Sequence, residues 1–259
     1  MIKNEKNGII YYTFKNLARG MVRHAFSTRI GGVSRGCFVS MNLSPNTGDD
    51  PATVQENYRL FCDAAGFNAE NIVMANQHHT TNIQKVDGLG VLENVDGLMT
   101  NRPGIMLVTY YADCVPLMFC DPVRGVIANS HAGWRGTAHN MAGKTVERMT
   151  AEYGCNPRDI LVGIGPSISR KNFEVGPEVA EDFKVLLPFS ARFVYNSEST
   201  VNKFHVDLWE INRQNLEAAG ILPQNIEVAG MCTYDDGDLF YSHRRDGMAR
   251  GGMAAFIQL

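Results

Sequence analysis

A chain of 259 residues has room for one large domain or two small ones, and for a core that needs no disulfide staples. Its 44% apolar and 20% charged residues are ordinary for a globular protein, and a net charge of −3 excludes the basic excess that nucleic-acid binding draws on. The polar start MIKNEKNGIIYY lacks a signal-peptide core, and the most apolar stretch, 104–120, carries Asp113 and Pro116. No membrane span is therefore predicted, and the protein is expected in the cytoplasm with its six cysteines reduced.

Strands are predicted over 9–14 and 21–27, which are rich in β-branched and aromatic residues. A helix should begin after Asp49-Asp50, with Pro51 in its first turn, and end at Gly66. Short strands follow at 71–76 and 82–86, and stronger ones at 105–110, 115–120 and 125–130. A helix over 137–153 should stop at Gly154, before a strand at 159–164. Helices at 177–187 and 206–219 come next, the second closed by Gly220. Strands at 226–231, 239–242 and 254–258 complete the chain. No linker or repeat interrupts this order, so one α+β domain is predicted, a mixed sheet covered by helices.

Chemistry concentrates where the 115–120 and 125–130 strands meet. Asp121-Pro122-Val123-Arg124 and Gly125 form a turn signal between them. If Cys120 pairs with Gly125, Cys114 falls directly opposite His131, on the same face and within about 4.5–5.5 Å between Cβ atoms. Zinc bonds of about 2.0–2.3 Å can bridge such a pair. A third ligand is available from Asn76-Gln77-His78-His79-Thr80. Neighbours on an extended chain point opposite ways, so only one of the two histidines reaches the ion, and spacing does not choose between them. Three protein ligands leave a position open, the pattern of a catalytic zinc that acidifies its water.

Two segments read as anion holders. Arg29-Ile30-Gly31-Gly32 follows a strand, and its paired glycines can turn consecutive amides inward as a nest beside Arg29. His131-Ala132-Gly133-Trp134-Arg135 runs from a strand into a helix start, placing Arg135 near the metal. Asp113 is either a carboxylate serving the metal ligands, a proton carrier or a structural acceptor. Arg244-Arg245-Asp246 reads as a surface ion pair before a substrate clamp. Cys37, Cys62, Cys155 and Cys232 are expected to pack.

The segments TRIGGVS (28–34), SMNLSPNTGDDPATVQENYR (40–59), NQHHT (76–80), YADCVPLMFCDP (111–122), HAGWRGT (131–137), GPSISRKNFEVG (165–176) and CTYDDGDLFYSHRRDG (232–247) occur in order along the chain. Together they resemble the bacterial YfiH family, a laccase-domain or polyphenol-oxidase family whose better-studied members are similar to purine nucleoside phosphorylases. The resemblance implies a single three-layer α/β/α domain over 1–259. It implies phosphorolysis of adenosine, inosine, guanosine and methylthioadenosine, together with adenosine deamination. It makes His79 the third ligand beside Cys114 and His131, because Gln77 and His78 occupy the family's Gln and apolar positions. Three residues depart from the pattern: His78, Thr80 where glycine is usual, and His243 where tyrosine is usual.

Under this reading Arg29 with Gly31 and Gly32 takes phosphate, Asp113 and Arg135 assist near the metal, and Asn42 meets the ribose or a neighbouring loop. The partners are purine nucleosides and phosphate, with neither nucleic acid nor membrane. Zinc is expected, with copper(II) as the alternative at the same ligands. A multicopper oxidase would need a histidine-rich cluster that seven histidines do not supply. Three competing functions fit the same residues: a single-copper polyphenol oxidase, a hydrolase with Cys114 as nucleophile and His131 as base acting in peptidoglycan-precursor editing, and a nucleoside-sensing module without turnover.

Overall fold

Alternation along the central strands sorts their side chains into separate cores, because successive residues of a strand face opposite ways. Met106–Tyr111 sends Leu107 and Tyr111 to one side and Met106 and Val108 to the other. Met253–Gln258 divides likewise, with Ala255 and Ile257 against Ala254 and Phe256. Val115–Asp121 sends Met118 and Cys120 into the cluster that holds Leu107 and Ala255, and Leu117 and Phe119 into a third. The shared cluster is therefore the seam between two sheets stacked face to face.

The computed structural model describes residues 1–20 and 22–259. Met21, first residue of the predicted 21–27 strand, lies outside the described residues. One sheet has seven strands, in spatial order Ile2–Lys6, Ile9–Thr13, Arg23–Ser27, Met253–Gln258, Met106–Tyr111, Ile72–Asn76 and Gly90–Glu93. Its last two pairings are parallel and the others antiparallel. The other has six, Ile226–Val228, Leu161–Ile164, Val115–Asp121, Val126–Ala132, Gly97–Thr100 and Ile83–Lys85, parallel at both edges and antiparallel between. Helix Pro51–Ala65 covers the first through Val54, Tyr58 and Phe61. Helices Met141–Tyr153 and Leu208–Ala218 cover the second through Val146, Met149, Ile211 and Leu216. The α+β class with mixed β-structure between helices holds, and the middle layer is a pair of sheets. A three-stranded sheet of Glu174–Val175, Phe204–Val206 and Val194–Asn196 stands apart.

The Pro51–Ala65 helix starts and stops where its caps require. Asp50 accepts from the amides of Ala52 and Thr53 at 3.4 and 3.2 Å, and Gly66 ends the helix at φ 76°. Three expectations change. The 137–153 helix is two, Trp134–Ala138 and Met141–Tyr153, because Asn140 turns left-handed at φ 60° and caps the second by accepting from Gly143 N at 3.0 Å. Residues 239–242 form no strand, since Tyr241 N donates to Met253 Sδ and the Phe240 carbonyl takes Arg245 Nη2. The central hairpin is present, but its register differs by two residues, pairing His131 with Pro116. Asp121 Oδ1 accepts from Val123 N and Arg124 N at 2.8 and 2.9 Å, and Gly125 sits at φ 61°, so Asp121 closes the first strand against Val126 and the four-residue loop is 122–125 rather than 121–124. A slip of two preserves the face of every side chain, so Cys114 and His131 stay on one side as diagonal neighbours.

Candidate metal centre

The chain passes from one sheet to the other through Ala112, Asp113 and Cys114, between Met106–Tyr111 and Val115–Asp121. So short a crossing forces Asp113 to φ 85°, a region a non-glycine residue occupies only when its surroundings hold it there. Its carboxylate supplies that hold. Oδ1 accepts from Thr233 Oγ1 at 2.6 Å, and Oδ2 from Ser242 Oγ at 3.0 Å and Arg244 N at 2.7 Å. Asp113 thus fastens the 232–246 segment beside the site. Cys114 follows it at the start of the hairpin.

His131 lies near the end of Val126–Ala132, and His79 follows Ile72–Asn76 of the other sheet. The donor atoms of His79, Cys114 and His131 all lie within 4.8 Å of one another. Small side-chain rotations would bring them onto one ion at bond lengths of about 2.0–2.3 Å. Gly133 makes the room: a Cβ there would stand 2.7 Å from His79 Nδ1 and 3.1 Å from Cys114 Sγ. Two imidazoles and one thiolate are a fitting set for zinc and, equally, for copper(II).

One residue that sequence patterns do not single out organises the group. Asp96 is fully buried. Its Oδ1 meets His131 Nδ1 at 2.8 Å and accepts from His79 N at 3.1 Å. Its Oδ2 accepts from His78 N at 3.2 Å, and from Thr80 N and Oγ1 at 2.8 Å each. A single carboxylate therefore orients one ligand ring, leaving its Nε2 for the ion, and shapes the loop that carries another, where His79 adopts φ 58°. His78 contributes its amide to this carboxylate.

The electrostatics follow from these contacts. Burial raises the Cys114 thiol, but the charge and hydrogen bonds of His131 and His79 outweigh it and bring the pKa down to about 6. Burial lowers His131, and the thiolate and Asp96 outweigh it, raising it to about 9. Burial also raises Asp96, yet its bonds to His131 and Thr80 carry it down to about 2. Cys62, Cys120 and Cys155 have no such partners, and burial pushes each up to about 12. Cys114 is thus set apart as a thiolate ready for metal or electrophile. Cys37, expected to pack, is exposed.

The three groups line a cavity of about 700 Å³, whose wall includes Asp113, Trp134, Arg135, Phe173, His243, Arg244, Met248 and Arg250. Arg135 is exposed, with its guanidinium 4.3 Å from the Trp134 ring centroid. Arg244 Nη1 donates to the carbonyls of Asn172 and Glu174 at 3.2 and 2.8 Å, while Arg245 pairs with Asp246 at 2.8 Å. Burial outweighs the nearby charges of Asp113, Cys114 and Asp246 and lowers the pKa of Arg250.

Four predicted binding residues are placed elsewhere. The amides of Gly31 and Gly32 donate to Ser40 Oγ at 3.1 and 3.2 Å, so the nest is filled by the chain itself. Arg29 donates to the carbonyls of Val39 and Gly237 at 3.0 and 3.1 Å and lies over the Tyr241 ring. None of the three lines the cavity. Asn42 is fully buried and bonded to Thr47, Asp49, Ser44 and Gly252. It holds neighbouring loops and is closed to a ribose. Among the described residues, no helix is long and apolar enough to cross a membrane.

Residues 23–259 match the family described as multi-copper polyphenol oxidoreductase laccase. The chain is 37% identical to a purine nucleoside phosphorylase of Bacteroides thetaiotaomicron, over 92% of each chain. It is also 37% identical to purine nucleoside phosphorylase YlmD of Bacillus subtilis, over 90% of this chain and 86% of that one. The crystal structure of YlmD from Geobacillus stearothermophilus superposes with a TM-score of 0.92 at 35% identity, covering 98% of this chain and 97% of that one.

Proposed function

Because the chain belongs to the laccase-domain family of YfiH and YlmD, we propose that it is a zinc-dependent purine nucleoside phosphorylase that also deaminates adenosine. The observation that carries this reading is the convergence of His79, Cys114 and His131 at a roomy cavity whose wall is rich in cations. Adenosine, inosine, guanosine and methylthioadenosine are the substrates, with phosphate as the second reactant. Zinc on the three ligands supplies Lewis acidity at the cavity wall; copper(II) is the alternative occupant.

In phosphorolysis a phosphate oxygen bonds to C1′ of the ribose as the bond from C1′ to the purine nitrogen breaks. The electron pair leaves on the purine, which takes up a proton, and ribose 1-phosphate remains. The chain holds the phosphate by arginine and keeps the nucleoside against the Trp134 and Phe173 side of the cavity, so that binding is converted into alignment. In deamination water replaces the amino group at C6, and ammonia departs. Asp113 is bonded to three protein donors, which suits it to positioning the wall, while the exposed Arg135 in the same wall is free to meet substrate.

Incubation of purified protein with adenosine, with and without phosphate, tests both activities. Adenine and ribose 1-phosphate should appear only with phosphate, and inosine without it. Absence of any nucleoside product in metal-loaded protein would refute the reading.

A second reading is favoured by one observation. Asp96, His131 and Cys114 stand in the order of an orienting acid, a base and a nucleophile. A thiol hydrolase built this way, of the kind suited to editing peptidoglycan precursors, should keep its activity after chelation, whereas the zinc enzyme should lose it.

A further inference from the structure

The cavity carries a charge imbalance. Arg135, Arg244 and Arg250 line it, and among the described residues Asp113 is its one carboxylate. Both oxygens of Asp113 are already taken by Thr233, Ser242 and the amide of Arg244. The whole chain is nonetheless net negative, at −3, so this positive wall is a local feature.

The three arginines differ in what they are free to do. Arg244 is committed to two backbone carbonyls and packs on Phe173 at 5.4 Å. Arg135 is exposed and steadied only by its stacking on Trp134. Arg250 is half-buried and gives one hydrogen bond, from Nη1 to the Gly251 carbonyl at 2.9 Å. Its Nε is buried without a partner, and among the described residues it makes no ion pair and donates nothing from Nη2. A guanidinium left this way in a partly desolvated wall is costly unless an anion completes it.

Its backbone is held firmly enough to make that arrangement reproducible. A Cβ at Gly251 would stand 2.6 Å from Tyr241 Cζ and 3.0 Å from Asn42 Cβ, and one at Gly252 would stand 2.7 Å from Ser44 Cβ. Gly252 N donates to Asn42 Oδ1 at 2.9 Å, and its carbonyl accepts from Leu43 N at 3.0 Å. The two glycines thus let the chain lie directly on the 41–44 segment, fixing the residue just before them.

We propose that Arg250 is the anchor of an inorganic-phosphate subsite in this cavity, with the exposed Arg135 on the same wall as a second cation for the anion. The planar fork of Arg250 presents paired donors that match two phosphate oxygens, a geometry a lysine cannot reproduce. The proposal rests on the phosphorylase reading for the phosphate's use, but not for its binding.

The test uses the zinc-loaded protein and inorganic phosphate, titrated by calorimetry and by the phosphate-dependent rise in Tm. Arg250→Ala should weaken phosphate binding at least tenfold, and Arg250→Lys should restore it only in part. The KM for phosphate should rise in both. Arg29→Ala should bind phosphate as the parent does. Undiminished phosphate binding in both Arg250 variants, or loss confined to Arg29→Ala, overturns the proposal, as does a parent protein that binds no phosphate. Phosphate binding that depends on Arg250 in a protein that forms no ribose 1-phosphate would support the subsite and overturn the phosphorylase reading instead.

Discussion

Two stretches of this chain look alike in sequence and serve opposite ends. Arg29-Ile30-Gly31-Gly32 and Arg250-Gly251-Gly252 each set an arginine beside paired glycines, and both pack against Tyr241. In the first, Ser40 fills the amide nest and two backbone carbonyls occupy the guanidinium. In the second, Asn42 and Leu43 clamp the backbone and the guanidinium faces the cavity with donors to spare. The glycines have the same physical role in both places, allowing backbone to approach without a Cβ. Whether the neighbouring cation can serve a ligand depends on which acceptors the rest of the fold brings to it.

The sharpest contrast should come from the ligand cluster itself. Cys114→Ala removes the thiolate, and turnover should fall by at least ~10³-fold with loss of bound metal. Circular dichroism should show the fold retained. Next comes Asp96→Asn, which keeps one acceptor but replaces the other with a donor facing two amides and a hydroxyl. Metal affinity should drop by about 10–100-fold in a competition titration, with a larger fall in kcat than change in nucleoside KM. Gly133→Ala should fall in the same range, because the added methyl stands against His79 and Cys114. A variant that binds zinc normally would show that the loop yields easily.

The arginines should then separate cleanly. Arg29→Ala loses two hydrogen bonds and its contact with Tyr241, so it should lower Tm at a cost of about 1–2 kcal/mol without touching phosphate affinity. Arg250→Ala should do the reverse. The effect confined to the narrowest conditions is one of pH. Asp96 titrates at about 2 in the fold, against about 3.9 in an unfolded chain. A carboxyl lowered by folding contributes stability that is complete above its unfolded pKa and is lost as pH falls through its folded one. Metal-free protein should therefore lose roughly 2 kcal/mol between about pH 4 and pH 2, and Asp96→Asn should flatten that slope in urea titrations.

What the sequence discloses here is mostly local. Pro51 after Asp50 and Gly66 at the far end mark the helix between them because caps act within a few residues. The hairpin is visible as two apolar runs around Asp121 and Pro122, but the one-residue displacement of its four-residue loop, set by the Asp121 carboxylate and Gly125, is not. The pairing of ligands survived because a slip of two keeps the face. The strands Gly90–Glu93 and Gly97–Thr100 escape notice, being short and interrupted by glycine and acidic residues. Asp96 is invisible for a different reason. Its partners lie 16 to 35 residues away, and nothing in the run Asn94-Val95-Asp96-Gly97 distinguishes it from a turn acid. Arg250 likewise becomes informative only once the acceptors around it are counted.

The origin of the three ligands has a mechanical consequence. His79 extends from a strand of the seven-stranded sheet, His131 belongs to the six-stranded one, and Cys114 sits on the bridge between the two. An ion gripped by all three would act as a rivet through the laminate, resisting any sliding of one layer over the other. Stripping it should loosen amide protection first along that joint, ahead of the helices outside, so that loading with metal tightens the very frame that presents it.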